Sequence, residues 1–240
     1  VVDLMDVDWS VAEITRMRQT GAGVGATVRE IGNALREMPP TMRQLAPVML
    51  FQWYGMFCYW QYVVNALALS VYGTSDPASA GYRDAALLNG QVGGFYNFVA
   101  FLAGFALMPM ARRFGAKAMH VACIAAAGLA LIVLPQISHP GWLLVPRVGI
   151  GLGWASIMGN PYVMLAQSIP PERTGVYMGI FNMMIVLPML LQTVTLPLYY
   201  NALLGGDPRN VLMLAGALLL IAAWLMSRVR PASHVAAPRD

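Results

Sequence analysis

No acidic side chain falls inside any of the six long apolar stretches that fill most of the chain from about residue 44 to residue 229; all eleven Asp and Glu residues lie outside them. Charge is scarce altogether, at 11% of residues against 58% apolar, a balance foreign to a soluble core of this size. The two cysteines, Cys58 and Cys123, both sit in apolar stretches, where a thiol behaves as a small hydrophobe; this excludes a disulfide framework, and no spacing suits a metal. His120, His139 and His234 fall at loop edges or in the tail, so no acid, base and nucleophile set can be assembled and an enzyme is not expected. Nor is there a basic stripe to hold a phosphate backbone: the net charge of +4 comes from residues along the edges of the apolar stretches, so no nucleic-acid partner is expected. Residue 1 is not Met and no charged segment leads into a cleavable apolar one, so the chain is expected to begin inside a longer protein.

What is present is membrane-spanning length. A bilayer core of about 30 Å takes about 20 apolar residues as a helix. Six segments qualify, at roughly 44–71, 86–110, 116–137, 142–168, 175–200 and 209–228, which predicts an all-α polytopic membrane protein embedded in a lipid bilayer. The abundance of glycine (23) and proline (16) fits such helices. Arg16, Arg18, Arg29, Arg36, Arg43, Arg112, Arg113, Lys117, Arg173, Arg228, Arg230 and Arg239 fall on one side, and only Arg83 and Arg209 on the other, so the first side and both termini are predicted to be cytoplasmic, in the cell membrane. Residues 1–43 read as a cytoplasmic linker. Val24, Val28, Ile31, Leu35 and Met38 repeat at helical spacing, and Pro39 and Pro40 close that helix, which suits a membrane-surface linker or, as the minority reading, a partner-binding helix. Residues 44–229 form the transmembrane domain and 230–240 a short tail.

Polar groups in lipid must face protein or water, so their positions mark inward faces. FQWYGMFCYWQY (51–62) opens the first span, and Tyr54, Cys58, Gln61 and Asn65 share one helix face that either lines an aqueous cavity or holds neighbouring helices. Amides, phenols and indoles are the groups that receive sugars, because hydroxyls need paired donors and acceptors while the apolar ring face stacks on an aromatic. Asn89, Gly93, Asn97, Ala100 and Gly104 make a narrow stripe on the second span, suited to tight helix packing at least as well as to a ligand. In the fourth, Gly149, Gly153, Ser156 and Asn160 share a face; the string GIGLGW lacks a preceding strand, so helix crossing explains it better than a dinucleotide does. Pro161 and Pro188 predict kinks. Arg147 is the one charge inside a span, and either snorkels to water or is buried without an acid in the six spans to pair with. The fifth span offers Asn182 beside Gly179, Val186 and Thr193. The third and sixth are nearly featureless, which places them at the lipid-facing periphery.

Polarity in spans one, two, four and five matches one half of a major facilitator fold. The turn GFALMPMARRFGAK (104–117) resembles that superfamily's conserved loop at Arg113, Gly115 and Lys117, with the Asp absent, which implies a gating loop. FQWYGMFCYWQY, GWASIMGNPYVML (153–165) and PPERTGVYMGIFNMMIVLP (170–188) resemble the carboxyl-terminal half of the proton-coupled sucrose and maltose type sugar transporters, over nearly the whole membrane region. The chain departs from that pattern at Met189, where Gln is more usual, and at Asn160 before the Pro. The resemblance implies that an amino-terminal six-helix half completes the transporter.

The expected function is secondary active transport of a disaccharide or other glucoside, with protons as coupling ion and no bound cofactor. Gln61 and Asn65 are the expected hydrogen-bonding amides, Tyr54 and Trp60 the aromatic contacts, Asn97, Asn160 and Asn182 further polar contacts, Trp154 a stacking or gating group, and Arg147 the charge-coupling residue. Met178, Met183, Met184 and Met189 keep open a facilitator or exporter of amphipathic compounds. A non-transporting six-helix subunit is the third reading.

Overall fold

A computed structural model of the chain describes residues 29, 32–33, 36–166, 168–169 and 173–230. The chain divides into two units at Met38 and Pro39. In the first, Arg29, Gly32, Asn33 and Arg36 are helical, and the Glu37 amide donates to the Asn33 carbonyl. Val24, Val28, Ile31 and Leu35 of the expected linker helix, and the tail beyond Arg230, lie outside the described residues.

The second unit is helical, with no strand among its described residues: α1 (Pro40–Tyr72), α2 (Ala80–Phe114), α3 (Ala116–Val133), α4 (Leu144–Ala166), α5 (Thr174–Leu204) and α6 (Pro208–Arg228), with short 3-10 turns between α3 and α4. A helix covers each of the six expected spans. Five are both long and apolar enough to cross a membrane; α1 has the length, but Gln52, Gln61, Asn65 and its tyrosines make it more polar. The helix ends are written locally. Pro40 and Pro208 occupy first-turn positions, where a missing amide proton costs nothing. Ser79 caps α2 by accepting from the Tyr82 amide, and Asp207 caps α6 by accepting from the Arg209 amide. The Arg209 guanidinium also bonds the Asp207 carboxylate and holds it below its ordinary pKa. Gly73 (φ 66°) and Gly205 (φ 64°) end α1 and α5 in the left-handed conformation, with Thr74 and Gly206 amides reaching back to Ala68 and Tyr200 carbonyls. α4 remains helical through Pro161 and α5 through Pro188. α2 starts six residues before the expected boundary, so Asp84 lies inside a helix after all, though exposed.

The helices pack as a ring: α1 against α6, α6 against α3, α3 against α4, α4 against α2, and α2 back against α1. α5 joins chiefly through α1. Glycine sets the spacing. A Cβ on Gly216 of α6 would lie 2.5 Å from the Gly128 carbonyl oxygen of α3, and one on Gly149 of α4 would lie 2.8 Å from the Ala126 oxygen of α3. Gly151 meets α2 in the same way, 2.7 Å from the Tyr96 oxygen. The expectation that Gly149 and Gly153 mark a helix crossing is met.

Two expectations fail. The plain helices α3 and α6 are not peripheral in this bundle: 56% of the most apolar stretch of α3 is buried, against 17% for α2 and 22% for α5. Their featurelessness is the composition of close contact, small residues that let backbones meet, with one outward apolar face each (Leu129 and Val133; Ile221 and Trp224). Conversely, the small-residue stripe of α2 does not pack tightly within this bundle. Nothing stands within 4 Å of a Cβ placed on Gly104, and one on Gly93 meets only Tyr96 of its own helix, at 4.0 Å.

Gly216→Val drives a side chain into the Gly128 backbone and Ile132, and overpacking of this kind costs about 1–3 kcal/mol. Gly159→Ala meets no atom within 4 Å. Thermal unfolding in detergent is expected to fall for the first variant and to hold or rise for the second.

Candidate functional site

Helix α1 distributes its polar residues among three neighbours. Gln52 faces α3, Trp53 and Trp60 face α4, Tyr54 and Cys58 face α5, and Tyr59 meets Arg147 of α4. The face expected to carry Tyr54, Cys58, Gln61 and Asn65 together into a cavity is therefore divided. The Tyr54 hydroxyl is engaged with Thr195 at 2.7 Å and Tyr199 at 2.6 Å, so it ties α1 to α5 rather than offering a free phenol. Gln61 is exposed and Asn65 half-buried.

Trp60 and Trp154 meet edge to face with centroids 5.3 Å apart, and Trp53 joins both at 6.2 Å. Trp60 and Trp154 are each partly open, whereas Trp53 is buried and its indole nitrogen has no hydrogen-bond partner. This aromatic cluster brings together two of the expected contacts, Trp60 and Trp154, and adds Trp53, which sequence reasoning missed although it lies seven residues, two helical turns, before Trp60.

Arg147 does not snorkel. It is 0% exposed; its two Nη atoms donate to the Tyr59 hydroxyl and, at 3.0 Å, to Asn89 Oδ1, and its guanidinium lies 5.7 Å and 5.9 Å from the Tyr59 and Tyr96 ring centroids. Asn89, expected in a stripe suited to helix packing at least as well as to a ligand, is thus a hydrogen-bond partner of the one buried cation among the described residues of the bundle.

A third group was not foreseen. His120 is not at a loop edge but fully buried in α3, with Nε2 at 3.0 Å from Gln52 Oε1 and Nδ1 at 2.9 Å from Ser156 Oγ. Ser156 also accepts from Asn160 Nδ2 at 2.8 Å. Asn160, expected to touch substrate, instead completes this chain at 7% exposure. The signal was available: with α3 running from Ala116, His120 lies one turn inside a helix where His is costly unless paired. Gln192 of α5 is likewise fully buried, its side chain beside the Cys58 thiol.

Asn97 and Asn182 both stand exposed on helices that the bundle covers least; the Asn97 amide donates only to the Gly93 carbonyl of its own helix. The α2–α3 turn is a single residue. Gly115 adopts φ 87°, its amide bonding the Ala111 carbonyl and its carbonyl accepting from Met119, so Arg113 and Lys117 flank a corner that only glycine makes without strain.

A family model described as Major Facilitator Superfamily matches residues 15–193 and 59–240. No curated protein and no solved structure matches the chain.

His120→Leu leaves Gln52 and Ser156 without their buried partner, at about 1–3 kcal/mol for each unsatisfied group. A clear drop in detergent melting temperature is expected, while Asn97→Ala, which removes only a bond within one exposed helix turn, leaves it within about 0.5 kcal/mol equivalent.

Proposed function

The chain belongs to the major facilitator superfamily of membrane transporters, and from that premise we propose that it carries a sugar, a disaccharide or other glucoside, in symport with protons. The observation that supports this reading best is the Trp53–Trp60–Trp154 cluster, of which Trp60 and Trp154 are partly open; Gln61, next to Trp60 in the sequence, is exposed. Indole rings stack on the apolar face of a pyranose, and an amide supplies a paired donor and acceptor. Asn65 extends that polar edge along α1, and Arg147 supplies the fixed charge to which proton movement is referred.

The second half of the proposal concerns what covers the bundle. Asn97 and Asn182 face outward on α2 and α5, and bare amides in hydrocarbon are costly. An amino-terminal six-helix half covering these two helices removes that cost and places Asn97 and Asn182 on the wall between the halves, where a substrate near the midplane passes as one half rocks against the other. In this arrangement the Arg113–Lys117 corner and both ends of the chain face the cytoplasm, and the protein sits in the cell membrane.

A specific observation favours a second reading, transport of amphipathic compounds. A groove of about 540 Å³ between α1 and α5 is lined by Ala46, Leu50, Met184, Leu187, Pro188, Leu190, Leu191 and Val194, all apolar. A non-transporting bundle fits less well, because Gln61 is open to solvent-sized contact.

Uptake of labelled sucrose and maltose into proteoliposomes of the whole protein, with an inward proton gradient, tests the proposal. Sugar accumulation that collapses with the gradient is expected, and Trp60→Ala, which removes an aromatic contact of about 0.5–1.5 kcal/mol, should lower the initial rate up to about tenfold. Movement of a labelled lipophilic cation with no sugar uptake would instead establish the amphipathic reading.

A further inference from the structure

Charge is divided unevenly between the two ends of the bundle. Asp76, Asp84 and Asp207 are the acids among the described residues of the second unit, and all three stand at the end where α1 finishes and α6 begins. At the opposite end, where α2 finishes and α3 begins, Arg112, Arg113, Lys117, Arg228 and Arg230 are gathered with no acid among the described residues of that unit. Some of these cations converge on a glycine-tight seam. A Cβ on Gly216 meets Ile132 and one on Gly128 meets Leu220, so α3 and α6 run antiparallel, each step along one matched by a step back along the other. Continued to the end of the seam, that register sets Lys117 of α3 abreast of Arg228 and Arg230. On the outer face of α6, Ala217, Ile221, Trp224 and Arg228 follow one another at helical spacing, all exposed, and the Arg228 guanidinium lies 5.1 Å from the Trp224 ring centroid. Ala118 and Ala122, exposed on α3, leave the adjoining surface shallow.

We propose that this end of the α3–α6 seam holds an anionic phospholipid, its phosphate between Lys117 and Arg228 and an acyl chain along Trp224 and Ile221. Charge complementarity selects the headgroup. Cations gathered without an acid repel one another, a phosphate relieves that repulsion, and each Lys or Arg near a membrane surface strengthens the attraction to anionic lipid about fivefold. Position selects the source of the phosphate. Trp224 and Ile221, 56% and 41% exposed, turn outward from the bundle next to the cations and offer an apolar contact that a dissolved phosphate cannot use. Arg228 joins the two parts, because its guanidinium rests on the indole while its N–H groups remain for the phosphate. Val229 is buried and the Arg230 amide donates to Gln44 of α1, so the segment that carries both arginines is fixed against the bundle. The proposal rests on the chain's being an integral membrane protein, whatever its cargo.

The test reconstitutes the whole protein in bilayers of phosphatidylcholine and phosphatidylglycerol, one of the two with brominated acyl chains, and reads tryptophan quenching. The difference between wild type and Trp224→Phe isolates the signal of Trp224. Trp142→Phe does the same for Trp142, which is 66% exposed at the opposite end of the bundle and reports the bulk lipid. Phosphatidylglycerol is expected to be enriched about fivefold or more over the bulk mixture at Trp224 and not at Trp142. Lys117→Gln combined with Arg228→Gln should remove the enrichment, and Arg112→Gln combined with Arg113→Gln should leave most of it. No enrichment at Trp224, or equal enrichment at Trp142, overturns the proposal. A loss as large in the Arg112 and Arg113 pair as in the Lys117 and Arg228 pair also overturns it, since the attraction then belongs to the diffuse field of that end. Displacement of the brominated lipid by dissolved glycerol 3-phosphate would show a site for a free phosphate and overturn the lipid. Should the Lys117 and Arg228 pair fail to fold, the two substitutions are read singly, and an enrichment unchanged in both overturns the proposal.

Discussion

Backbone-to-backbone contact at glycine governs where everything else in this bundle can be. Gly128 of α3 meets Gly216 of α6, and Gly149 and Gly153 of α4 meet Ala126 and Ala127 of α3, at separations no larger residue permits. Lipid supplies no hydrophobic drive between helices, so packing and hydrogen bonding must do this work, and small residues maximise both by letting main chains approach. The consequence reaches the polar groups at once. Only because α4 lies that close to α3 does Ser156 come within 2.9 Å of His120. The same rigid α4 then carries Trp154 to Trp60 and Arg147 to Tyr59.

Helix α1 is the complement of that frame. Three of its polar side chains are answered on three different neighbours: Gln52 by His120, Tyr54 by Thr195 and Tyr199, Tyr59 by Arg147. At its ends Ser70 donates to the Pro135 carbonyl, and the Gln44 amide oxygen accepts from the Arg230 main chain. These bonds fix the rotation of α1 about its axis, because turning it by one residue would remove several buried partners together. A helix locked in this way presents Trp60 and Gln61 at a fixed height and angle.

The sequence made the fold class plain because the bilayer imposes a length and an apolarity that composition reports directly. All six helices were legible, and so was the α3–α4 crossing, since glycines four apart share a face. Partners across helices were not. Periodicity places Tyr54 and Gln61 on one side of α1, yet a side chain's neighbour depends on how the helices are arranged around it, and so α5 captured Tyr54 while Gln61 stayed open. The plainness of α3 and α6 was misread for a related reason. Ala and Gly look like lipid-facing filler when counted as hydrophobic, but their small size serves contact with another helix as well. His120 was overlooked because its span was judged by its edge, not by what a buried imidazole requires.

The uncovered helices complete the picture. α2 and α5 are long and apolar on average, which is all that insertion needs, yet the face each turns outward carries bare glycine and amide: Gly90, Gly94, Asn97 and Gly104 on α2, Gly175, Gly179 and Asn182 on α5. Lipid gains nothing from a groove without side chains and cannot satisfy an amide, whereas a second helix surface does both. The residues that close the ring of α1, α2, α3, α4 and α6 are thus of the same kind as those left open on α2 and α5. The first set is matched within this chain, and the second is not covered by its described residues. Trp60 and Trp154, partly open and edge to face, stand apart from both sets: they are the aromatic surface that α1 and α4 leave accessible, while Arg147 of the same α4 stays fully buried.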